Sequence, residues 1–329
     1  MGEKIERELK WAVLGTGIIA NEMAQALEKM GKKLYAVANR THSKAVEFAE
    51  KYGIQKIYDK IEDMFTDEET DIIYITTPHN THIKFMIEAL KNGKYVLCEK
   101  SITLNSEELE EAVKIAKEKN LILGEAMTIF NMPLYTELLE IVNSGKLGDV
   151  KMIQVNFGSY KEYDMSNRFF NRNLAGGALL DIGVYAISIT RLFMLSKPDN
   201  VLSQVKYAPT GVDEQVGIIM MNKEQQMSTI ALTLHSKQPK RVVIACEKAY
   251  IEITEYPRAD KAKIVYTETG EVEEITAGMT SNALQYELQN MEESVRTGIN
   301  KMKLEYTIDV MDIMTKLRKD WGMTYPEEE

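Results

Sequence analysis

The sequence is poor in the residues that build disulfide frameworks and metal sites. It contains two cysteines and four histidines in 329 residues. Because Cys98 and Cys246 lie far apart in the chain, they form neither a disulfide framework nor a zinc-ligand spacing. We therefore expect reduced thiols, with Cys98 buried in a strand, and no metal site.

Long apolar segments and excess positive charge are also missing. The N-terminus "MGEKIERELKWAVLG" lacks the apolar core of a signal peptide, and no apolar run approaches the ~18 residues that span a bilayer. A net charge of −10 argues against general binding to nucleic acid or anionic membranes. We therefore expect a cytoplasmic protein with no nucleic-acid or membrane partner.

What the first third of the chain does have is an alternation of strand-like and helical segments. Apolar runs such as "KWAVLG", "DIIYITT" and "KYVLCEK" alternate with helical segments such as "IIANEMAQALEKM". Strands that are apolar throughout are buried on both faces, which predicts a doubly wound parallel sheet of the α/β Rossmann type. Because 329 residues are many for a single hydrophobic core, we expect two domains. The first is predicted to cover residues 1–126.

The pattern changes near residue 127 to that of an α+β domain, predicted over residues 127–329. From residue 149 onward, long strand-like segments with short polar connections predict a large, open, mostly antiparallel sheet. One helix between residues 177 and 195 cannot cover such a sheet, so we expect a homodimer or homotetramer formed through it. The helices near 281–320 could pack back on the first domain, and the "PEEE" terminus is expected to be frayed.

The first loop matches the phosphate-binding pattern of dinucleotide sites. In "VLGTGIIA", Gly15 makes the turn, Gly17 lets the main chain approach a pyrophosphate, and Ala20 lets the helix pack on the strand. A plain strand-to-helix turn would also use glycine, but the next helix and strand lie where the pattern requires them. The predicted cofactor contacts in this loop are Gly15, Thr16, Gly17, Ile18 and Ile19.

The end of the second strand indicates which dinucleotide binds. An NAD site has Asp or Glu at this place, whereas the chain has Asn39 and Arg40. Arginine would bind a 2′-phosphate that a carboxylate would repel. NADP is therefore favoured and NAD remains possible, with Arg40 then a solvated surface residue.

Another strand end, "TTPHNTH", lies at the same crevice of the predicted sheet. Thr77 and Pro78 are expected beside the nicotinamide ribose. Asn80 and His82 are further candidate cofactor contacts, although helix capping or packing also suits their place at a helix start.

The charged pair Glu99 and Lys100 ends the strand "KYVLC" at this crevice, and both residues are candidate cofactor contacts. A lysine there would donate to a substrate oxygen or lower the pKa of a neighbouring phenol. The alternative is an ordinary surface ion pair.

The stretch "GGALLDIGVY" places Asp181 and Tyr185 four residues apart on an apolar helix that is predicted from about Ala178. Such a helix is buried, so both polar groups need partners. Either they bond to each other or to the main chain, or they belong to a site.

In this order, "GTGIIA", "TTPHNTH", "GKYVLCEKS" and "AGGALLDIGVY" resemble the motifs of the Gfo/Idh/MocA oxidoreductase family along the whole chain. "RFFNRNLAGGALLDIGVYAI" is similar to the branch with dihydrodiol, xylose and glucose–fructose oxidoreductases. The resemblance implies NAD(P)-dependent hydride transfer at a sugar, dihydrodiol or related secondary alcohol. It also implies that Lys100, Asp181 and Tyr185 line the active site, with Tyr185 as the acid/base assisted by Lys100.

The chain departs from the family pattern at two places. Ser101 stands where the family has proline, which leaves Lys100 less constrained. Phe130, Asn131 and Met132 replace an arginine and a histidine common in close relatives, so the substrate pocket is expected to differ.

The loop residues Arg168 and Asn171 are further candidates, for contact with substrate hydroxyls. The alternatives for the whole protein are an NAD-linked polyol or inositol dehydrogenase, and a non-catalytic NADP-binding redox sensor.

Overall fold

The computed structural model describes residues 7–329, and these residues form two units. The first unit ends at Met127 and takes in Leu284–Leu304, and the second comprises Thr128–Ala283 and Glu305–Glu329. The chain therefore crosses between the units at residue 127 or 128, and it returns to the first unit only for the segment that contains one of the two late helices.

The first unit is built on a six-stranded parallel sheet. Its strands are β1 (Trp11–Leu14), β2 (Ala36–Ala38), β3 (Lys56–Ile57), β4 (Ile72–Ile75), β5 (Tyr95–Glu99) and β6 (Leu123–Ala126). The sheet order is β3-β2-β1-β4-β5-β6, and every neighbouring pair is parallel. Strands β1 and β4 are buried at every position, which explains their apolar sequences. The predicted doubly wound sheet is confirmed.

Helices connect these strands. They are α1 (Ile18–Lys29), α2 (His42–Tyr52), α3 (Ile61–Thr66), α4 (His82–Lys91) and α5 (Ser106–Glu118). In α1 the buried residues Ala20, Met23, Ala24 and Leu27 recur at helical spacing and form one apolar face. Asn105 caps α5 by accepting a hydrogen bond from the Glu108 N–H.

The second unit begins with the helices α6 (Thr128–Asn131) and α7 (Pro133–Asn143), and α8 (Val184–Phe193) lies farther along the chain. Its eight strands are β7 (Val150–Gly158), β8 (Asn200–Tyr207), β9 (Asp213–Met221), β10 (Met227–Thr233), β11 (Gln238–Cys246), β12 (Ala249–Thr254), β13 (Lys261–Tyr266) and β14 (Val272–Thr276). They form one sheet in the order β14-β13-β12-β11-β7-β10-β9-β8. Strands β7 and β10 pair in parallel and the other neighbours pair antiparallel, so the predicted mostly antiparallel sheet is confirmed.

The helical stretch before β8 differs in form from the predicted α-helix. Residues Leu179–Gly183 form a π-helical turn, and the regular helix α8 starts only at Val184. In a π turn the main-chain bonds join residues five apart rather than four. The apolar side chains along this stretch are buried; they include Leu179, Ile182, Ala186, Ile189 and Phe193.

By length and composition, the stretch Arg172–Phe193 passes as a candidate membrane span, although no such run was expected. Its most apolar window is 83% buried inside the protein, and α8 packs against β7 and β10 of its own sheet. That burial is typical of a core helix.

Two helices follow the last strand, as predicted. They are α9 (Ala283–Thr297) and α10 (Leu304–Trp321). In the first unit, Trp11 at the start of β1 donates from Nε1 to Glu292 of α9 at 3.0 Å. Residues from Glu305 onward, most of α10 among them, belong to the second unit.

The expectation of a frayed C-terminus is wrong. The Arg318 guanidinium donates two hydrogen bonds to the Glu328 carboxylate, at 2.6 and 2.7 Å, and Arg318 is 3% exposed. The Tyr325 hydroxyl is fully buried and donates to the Gly176 carbonyl at 2.6 Å. The acidic tail is held in place because Glu328 pairs with the buried Arg318, whose charge would be costly to bury without a partner.

Candidate functional site

The loop between β1 and α1 has a geometry that requires glycine at its first position. Gly15 has φ +111°, and a Cβ there would lie 2.4 Å from Oγ1 of Thr76. The Gly15 N–H donates to the Ala38 carbonyl at 2.8 Å, and Thr76 Oγ1 donates to the Leu14 carbonyl at 3.0 Å. The loop is therefore locked to the carboxyl ends of β1, β2 and β4.

The N-terminus of α1 is free of side-chain caps. Gly17 is the N-cap residue, and no atom lies within 4 Å of the position of a Cβ built on it. The first turn contains no acidic residue, and Ile18 is 83% exposed. First-turn amides without a cap, beside space and without negative charge, fit the pyrophosphate of a dinucleotide. Thr16 and Ile19 lie in the same loop and first turn.

Asn39 and Arg40 follow the end of β2 directly. The Asn39 amide donates to the Thr41 carbonyl at 3.0 Å, and Arg40 is exposed. Because the Gly15 N–H bonds to the last residue of β2, Arg40 lies near the glycine loop in the same unit. No carboxylate is present at residues 39–41, where an NAD site would have one.

After β4, Thr77 is half-buried and Pro78 is exposed. Asn80 belongs to a short 3-10 turn, and Thr81 donates to the Thr77 hydroxyl at 2.8 Å. Thr77 and Pro78 lie at the carboxyl edge of the parallel sheet, the edge at which open α/β sheets bind ligands.

His82 is the first residue of α4 and has no exposed surface. Its Nε2 lies 2.7 Å from the Thr77 carbonyl oxygen and its Nδ1 lies 3.0 Å from that of Ser101. Burial lowers the pKa of His82. The described contacts are to main-chain oxygens, and a contact to the cofactor stays a prediction.

Lys100 follows the last residue of β5 and is partly exposed. The Lys100–Ser101 peptide bond is cis, and the Lys100 carbonyl lies 3.1 Å from Nε2 of His79. The Glu99 carboxylate accepts a hydrogen bond from the Tyr74 hydroxyl. All these residues belong to the first unit and lie at the sheet edge that carries the glycine loop.

In the second unit, the structure brings together two of the predicted residues, Arg168 and Asp181. A guanidinium nitrogen of Arg168 lies 3.5 Å from an Asp181 carboxylate oxygen. The Asp181 side chain is 10% exposed and that of Arg168 is 58% exposed. The same guanidinium lies 4.0 Å from the centre of the Phe169 ring. The pair therefore offers a carboxylate and a guanidinium side by side.

Tyr185 lies in the first turn of α8 and is partly exposed. Its ring lies 6.1 Å from that of Phe157, and Phe157 meets the buried Tyr256 edge to face at 5.9 Å. The rings of Tyr185, Phe157 and Tyr256 therefore form a small aromatic cluster, with Phe157 in the middle. Neither Phe157 nor Tyr256 was predicted as part of the site, although Phe157 lies in the strand-like region that begins at residue 149.

The remaining predicted residues of the second unit have structural contacts. The Asn171 side chain accepts a hydrogen bond from the Asn173 N–H at 2.9 Å and so caps a short 3-10 turn. Phe130, Asn131 and Met132, the second departure from the family pattern, are all buried, with at most 8% exposure.

Asp213, which sequence analysis also missed, supports the turn that carries Asp181. It is fully buried at the start of β9, and its Oδ2 accepts a hydrogen bond from the Leu179 N–H at 2.6 Å. A Cβ on Gly177, whose φ is +125°, would lie 2.1 Å from its Oδ1. Burial raises the pKa of Asp213 to about 7. Nothing in the sequence around Asp213 signals this role.

Within residues 7–329, no three His, Cys, Asp or Glu side chains are grouped so that they could hold a metal ion. The two thiols differ in exposure: Cys98 is buried, and Cys246 is partly exposed. Burial raises the pKa of both thiols, to about 11 for Cys246.

Comparison with known proteins covers most of the chain. Residues 9–127 match the model of the oxidoreductase family with an NAD-binding Rossmann fold, and residues 135–252 match the GFO/IDH/MocA C-terminal domain. Trans-1,2-dihydrobenzene-1,2-diol dehydrogenase of Xenopus laevis is 30% identical over 329 residues, with 96% of this chain and 99% of the relative covered. The human enzyme of that name is 27% identical over 343 residues, with 97% and 99% covered.

Solved structures share the fold at lower identity. A 3-ketoreductase from Actinomadura kijaniata, in complex with NADP and TDP-benzene, has a TM-score of 0.84 at 19% identity, with 95% of this chain and 98% of that chain covered. Levoglucosan dehydrogenase with NADH and levoglucosan has a TM-score of 0.84 at 16% identity, with 96% and 98% covered. With both domain models matched in order, the chain belongs to the GFO/IDH/MocA oxidoreductase family and is an NAD(P)-dependent oxidoreductase that acts on CH–OH groups.

Proposed function

We propose that the protein is a dehydrogenase of a dihydrodiol or a similar sugar-like secondary alcohol, with Tyr185 as acid/base, Lys100 as its assistant and NADP as preferred cofactor. The observation that carries this proposal is the second-unit helix α8, which holds Tyr185 against the Phe157 ring and is preceded by the π turn that presents Asp181 beside Arg168. Such a surface suits a substrate with several hydroxyl groups.

Tyr185 would move the proton of the alcohol. A free phenol has a pKa near ~10, and a nearby ammonium favours the phenolate and lowers that value. In oxidation the phenolate accepts the hydroxyl proton while the C–H bond breaks and a carbonyl forms; reduction runs the same steps backwards. The nicotinamide, when bound, accepts or supplies the hydride.

Asp181 and Arg168 would orient the substrate. The Asp181 carboxylate accepts hydrogen bonds from a hydroxyl group, and the exposed Arg168 guanidinium donates to another oxygen. Neighbouring hydroxyls on one ring match this pairing of acceptor and donor. Asn171, whose side-chain oxygen caps a turn, keeps its amide N–H groups as donors in the same loop.

The preference for NADP rests on Arg40. This exposed guanidinium follows β2 by two residues, and no carboxylate occupies residues 39–41. A ribose 2′-phosphate would be recognised by a charge-assisted fork of hydrogen bonds from Arg40. Thr77 and Pro78 would contact the nicotinamide ribose, and the glycine loop would bind the pyrophosphate.

The substrate class is supported by the relatives. The Xenopus laevis dihydrodiol dehydrogenase matches 96% of this chain at 30% identity, and the fold is also found in levoglucosan dehydrogenase bound to its sugar ligand. Buried Phe130 and Met132, in place of the arginine and histidine of close relatives, favour a less polar ring than that of a free sugar.

The proposal includes self-association through the sheet of the second unit. The face of the sheet opposite α8 carries large, partly exposed apolar side chains: Leu202, Ile219, Met227 and Tyr250. Burying such a face is favourable. Light scattering should give a dimer or tetramer that Ile219→Lys dissociates, whereas Leu195→Lys, at an exposed site after α8, leaves the mass unchanged. A wild-type monomer would contradict this part of the proposal.

A turnover assay tests the function. Nicotinamide absorbance would be followed with NADP or NAD and a panel of trans-dihydrodiols, their cis isomers, aldoses and polyols. We expect the highest kcat/KM for a trans-dihydrodiol or a related cyclic diol with NADP. Preference for polyols with NAD would favour the alternative polyol or inositol dehydrogenase. Tight NADP binding without turnover of any alcohol would favour a redox sensor and contradict the proposal.

A further inference from the structure

The two residues that follow Glu99 of β5 have main-chain oxygens that face histidine rings of the same unit. The Lys100 carbonyl oxygen lies 3.1 Å from Nε2 of His79, and the Ser101 carbonyl oxygen lies 3.0 Å from Nδ1 of His82. The two rings meet edge to face, with their centres 5.8 Å apart. A histidine therefore contacts each of two successive carbonyls at the base of the Lys100 side chain.

His82 also reaches the loop that follows β4. Its Nε2 lies 2.7 Å from the carbonyl oxygen of Thr77, and its side chain is fully buried. A neutral imidazole carries one N–H, so in either tautomer one of the two carbonyls accepts a hydrogen bond from the ring. His82 thus links the loop after β4, which carries the predicted contacts to the nicotinamide ribose, to the loop after β5, which carries Lys100.

The residues on either side of this dipeptide are held as well. The Tyr74 hydroxyl donates to the Glu99 carboxylate, and the Ile102 N–H donates to the buried Glu125 carboxylate at 3.1 Å. Four successive residues, from Glu99 to Ile102, therefore each contact a side chain from another element of the first unit. Such a fastened segment is expected to hold one direction of its side chains.

The direction of Lys100 matters because its ammonium sits at the end of a flexible four-carbon stem. Its reach is set by where the main chain places Cα and Cβ. Ser101 has no ring that would restrict its own φ or the conformation of the residue before it. The contacts of His79 and His82 restrict the same dipeptide from outside.

We propose that His79 and His82 are positioning residues that act through Lys100, by holding the Lys100–Ser101 main chain and so fixing the direction in which the ammonium extends. The inference rests on the proposed function, in which Lys100 assists Tyr185. It adds two residues to the reaction, neither of which needs to touch the substrate.

The test is a double-mutant cycle between each histidine and Lys100. His79→Leu is the first variant, because His79 is only half-buried and its loss is tolerated best. We expect about a tenfold or larger fall in kcat, because displacing a reacting group by a fraction of an ångström is costly. The Kd for NADP is expected to stay unchanged. In the Lys100→Met background the same substitution should leave kcat unchanged.

His82→Leu should likewise lower kcat in the wild type and leave it unchanged in the Lys100→Met background, and His82→Gln, which keeps an N–H donor, should recover part of the loss. If His82→Leu does not fold, the His79 cycle decides. Equal falls in both backgrounds, or no fall from any histidine variant, would overturn the inference. Full activity of Lys100→Met alone would refute the role of Lys100 and the inference together, whereas loss in Lys100→Met without loss in the histidine variants refutes the inference only.

Asn300→Ala is the matched control. The Asn300 amide donates to the Leu123 carbonyl at 2.8 Å, so it too joins a side chain to a main-chain oxygen of the first unit. Leu123 starts β6 at the amino edge of the parallel sheet, whereas Lys100 follows the carboxyl end of the neighbouring strand β5. This variant should lower Tm with kcat unchanged, which separates positioning of Lys100 from loss of stability.

Discussion

The two regions that carry the proposed chemistry are held in different ways. In the first unit, residues 99–102 are fastened by side chains that lie between 19 and 25 residues away in the sequence, on neighbouring strand ends. In the second unit, the turn before Asp181 is fastened by Asp213, 34 residues away from Leu179, and by Tyr325, 149 residues away from Gly176. Local contacts hold the lysine, and distant contacts hold the tyrosine helix.

This difference separates the two tasks. Substitutions in the glycine loop of the first unit should weaken cofactor binding, whereas those that loosen residues 99–102 should lower turnover through Lys100. Substitutions that disturb the second region should lower turnover while cofactor binding by the first unit persists. Because the residues that hold the two regions lie far apart in the sequence, a single substitution can disturb one region and leave the other intact.

Gly177→Ala should have the largest effect. The residue has φ +125°, and a Cβ would lie 2.1 Å from Oδ1 of the buried Asp213, so both the main chain and a capping carboxylate must move. We expect a loss of about 3 kcal/mol or more in the free energy of unfolding, and no turnover. Urea denaturation and kcat check this.

Gly211→Ala is the control for that variant. Gly211 also has a positive φ, +86°, but no atom lies within 4 Å of a Cβ built on it. It should cost only about 1 kcal/mol, the price of the main-chain conformation alone. Equal losses for the two variants would show that contact with Asp213 does not matter.

Gly15→Ala should disturb the glycine loop of the first unit and leave the second unit intact. A Cβ at this position would lie 2.4 Å from Thr76 Oγ1, in a loop locked to three strand ends. The displaced loop should weaken NADP binding about tenfold or more, whereas the second unit keeps its structure. Fluorescence titration measures the Kd. Gly93→Ala, at a positive φ of +78° with open space around it, should bind NADP normally. Unchanged affinity in Gly15→Ala would contradict the assigned phosphate loop.

The pH dependence of stability tests the Asp213 contact. Burial raises the pKa of Asp213 from 3.8 to about 7. Between these values the native carboxyl keeps a proton that the unfolded chain has released, so its stabilisation is complete below about pH 4 and is lost as the pH rises through 7. Relative to Asp213→Asn, the wild-type free energy of unfolding should fall across this window, with a limiting slope of about 1.4 kcal/mol per pH unit.

Asp164 provides a control of opposite sign. Hydrogen bonds from Ser166 lower the pKa of this exposed carboxyl, so its contribution is present above its ordinary pKa and is lost only in acid. Asp164→Asn should therefore leave the slope between pH values of about 4 and 7 as in the wild type. Parallel curves for the wild type and Asp213→Asn would mean that the buried Asp213 does not titrate there.

Arg40→Ala should give the most selective effect. Loss of a charge-assisted hydrogen bond to a 2′-phosphate should weaken NADP binding roughly 10- to 100-fold and leave NAD binding unchanged. Arg40→Lys, which keeps the charge but not the forked donors, should have a Kd for NADP between those of the wild type and Arg40→Ala. An unchanged Kd for NADP would refute the proposed preference.

The first unit could be predicted from sequence because its signals are local. Strands such as Ile72–Ile75 are apolar at every position, and the glycine at 15 is required by a positive φ that few other residues adopt. The strands of the second unit were also predictable, from their lengths and short polar connections.

The supports of the second region could not be predicted. The sequence does not indicate that Asp213, a single aspartate at the start of a strand, is buried. The acidic tail is predicted to be solvated because its contact with the buried Arg318 is formed only in the folded chain. The π turn at Leu179–Gly183 has apolar spacing close to that of an α-helix, so periodicity does not distinguish them. Each depends on contacts that only the folded chain creates.

The most direct test of the whole account is Tyr185→Phe, with kcat and the Kd for NADP measured on the same preparation. The substitution removes one hydroxyl and keeps the ring against Phe157. The account predicts a kcat lower by a factor of about 10² to 10⁴, with NADP affinity unchanged, because the proton-transfer group is lost from the second unit only. Full turnover by Tyr185→Phe would contradict it.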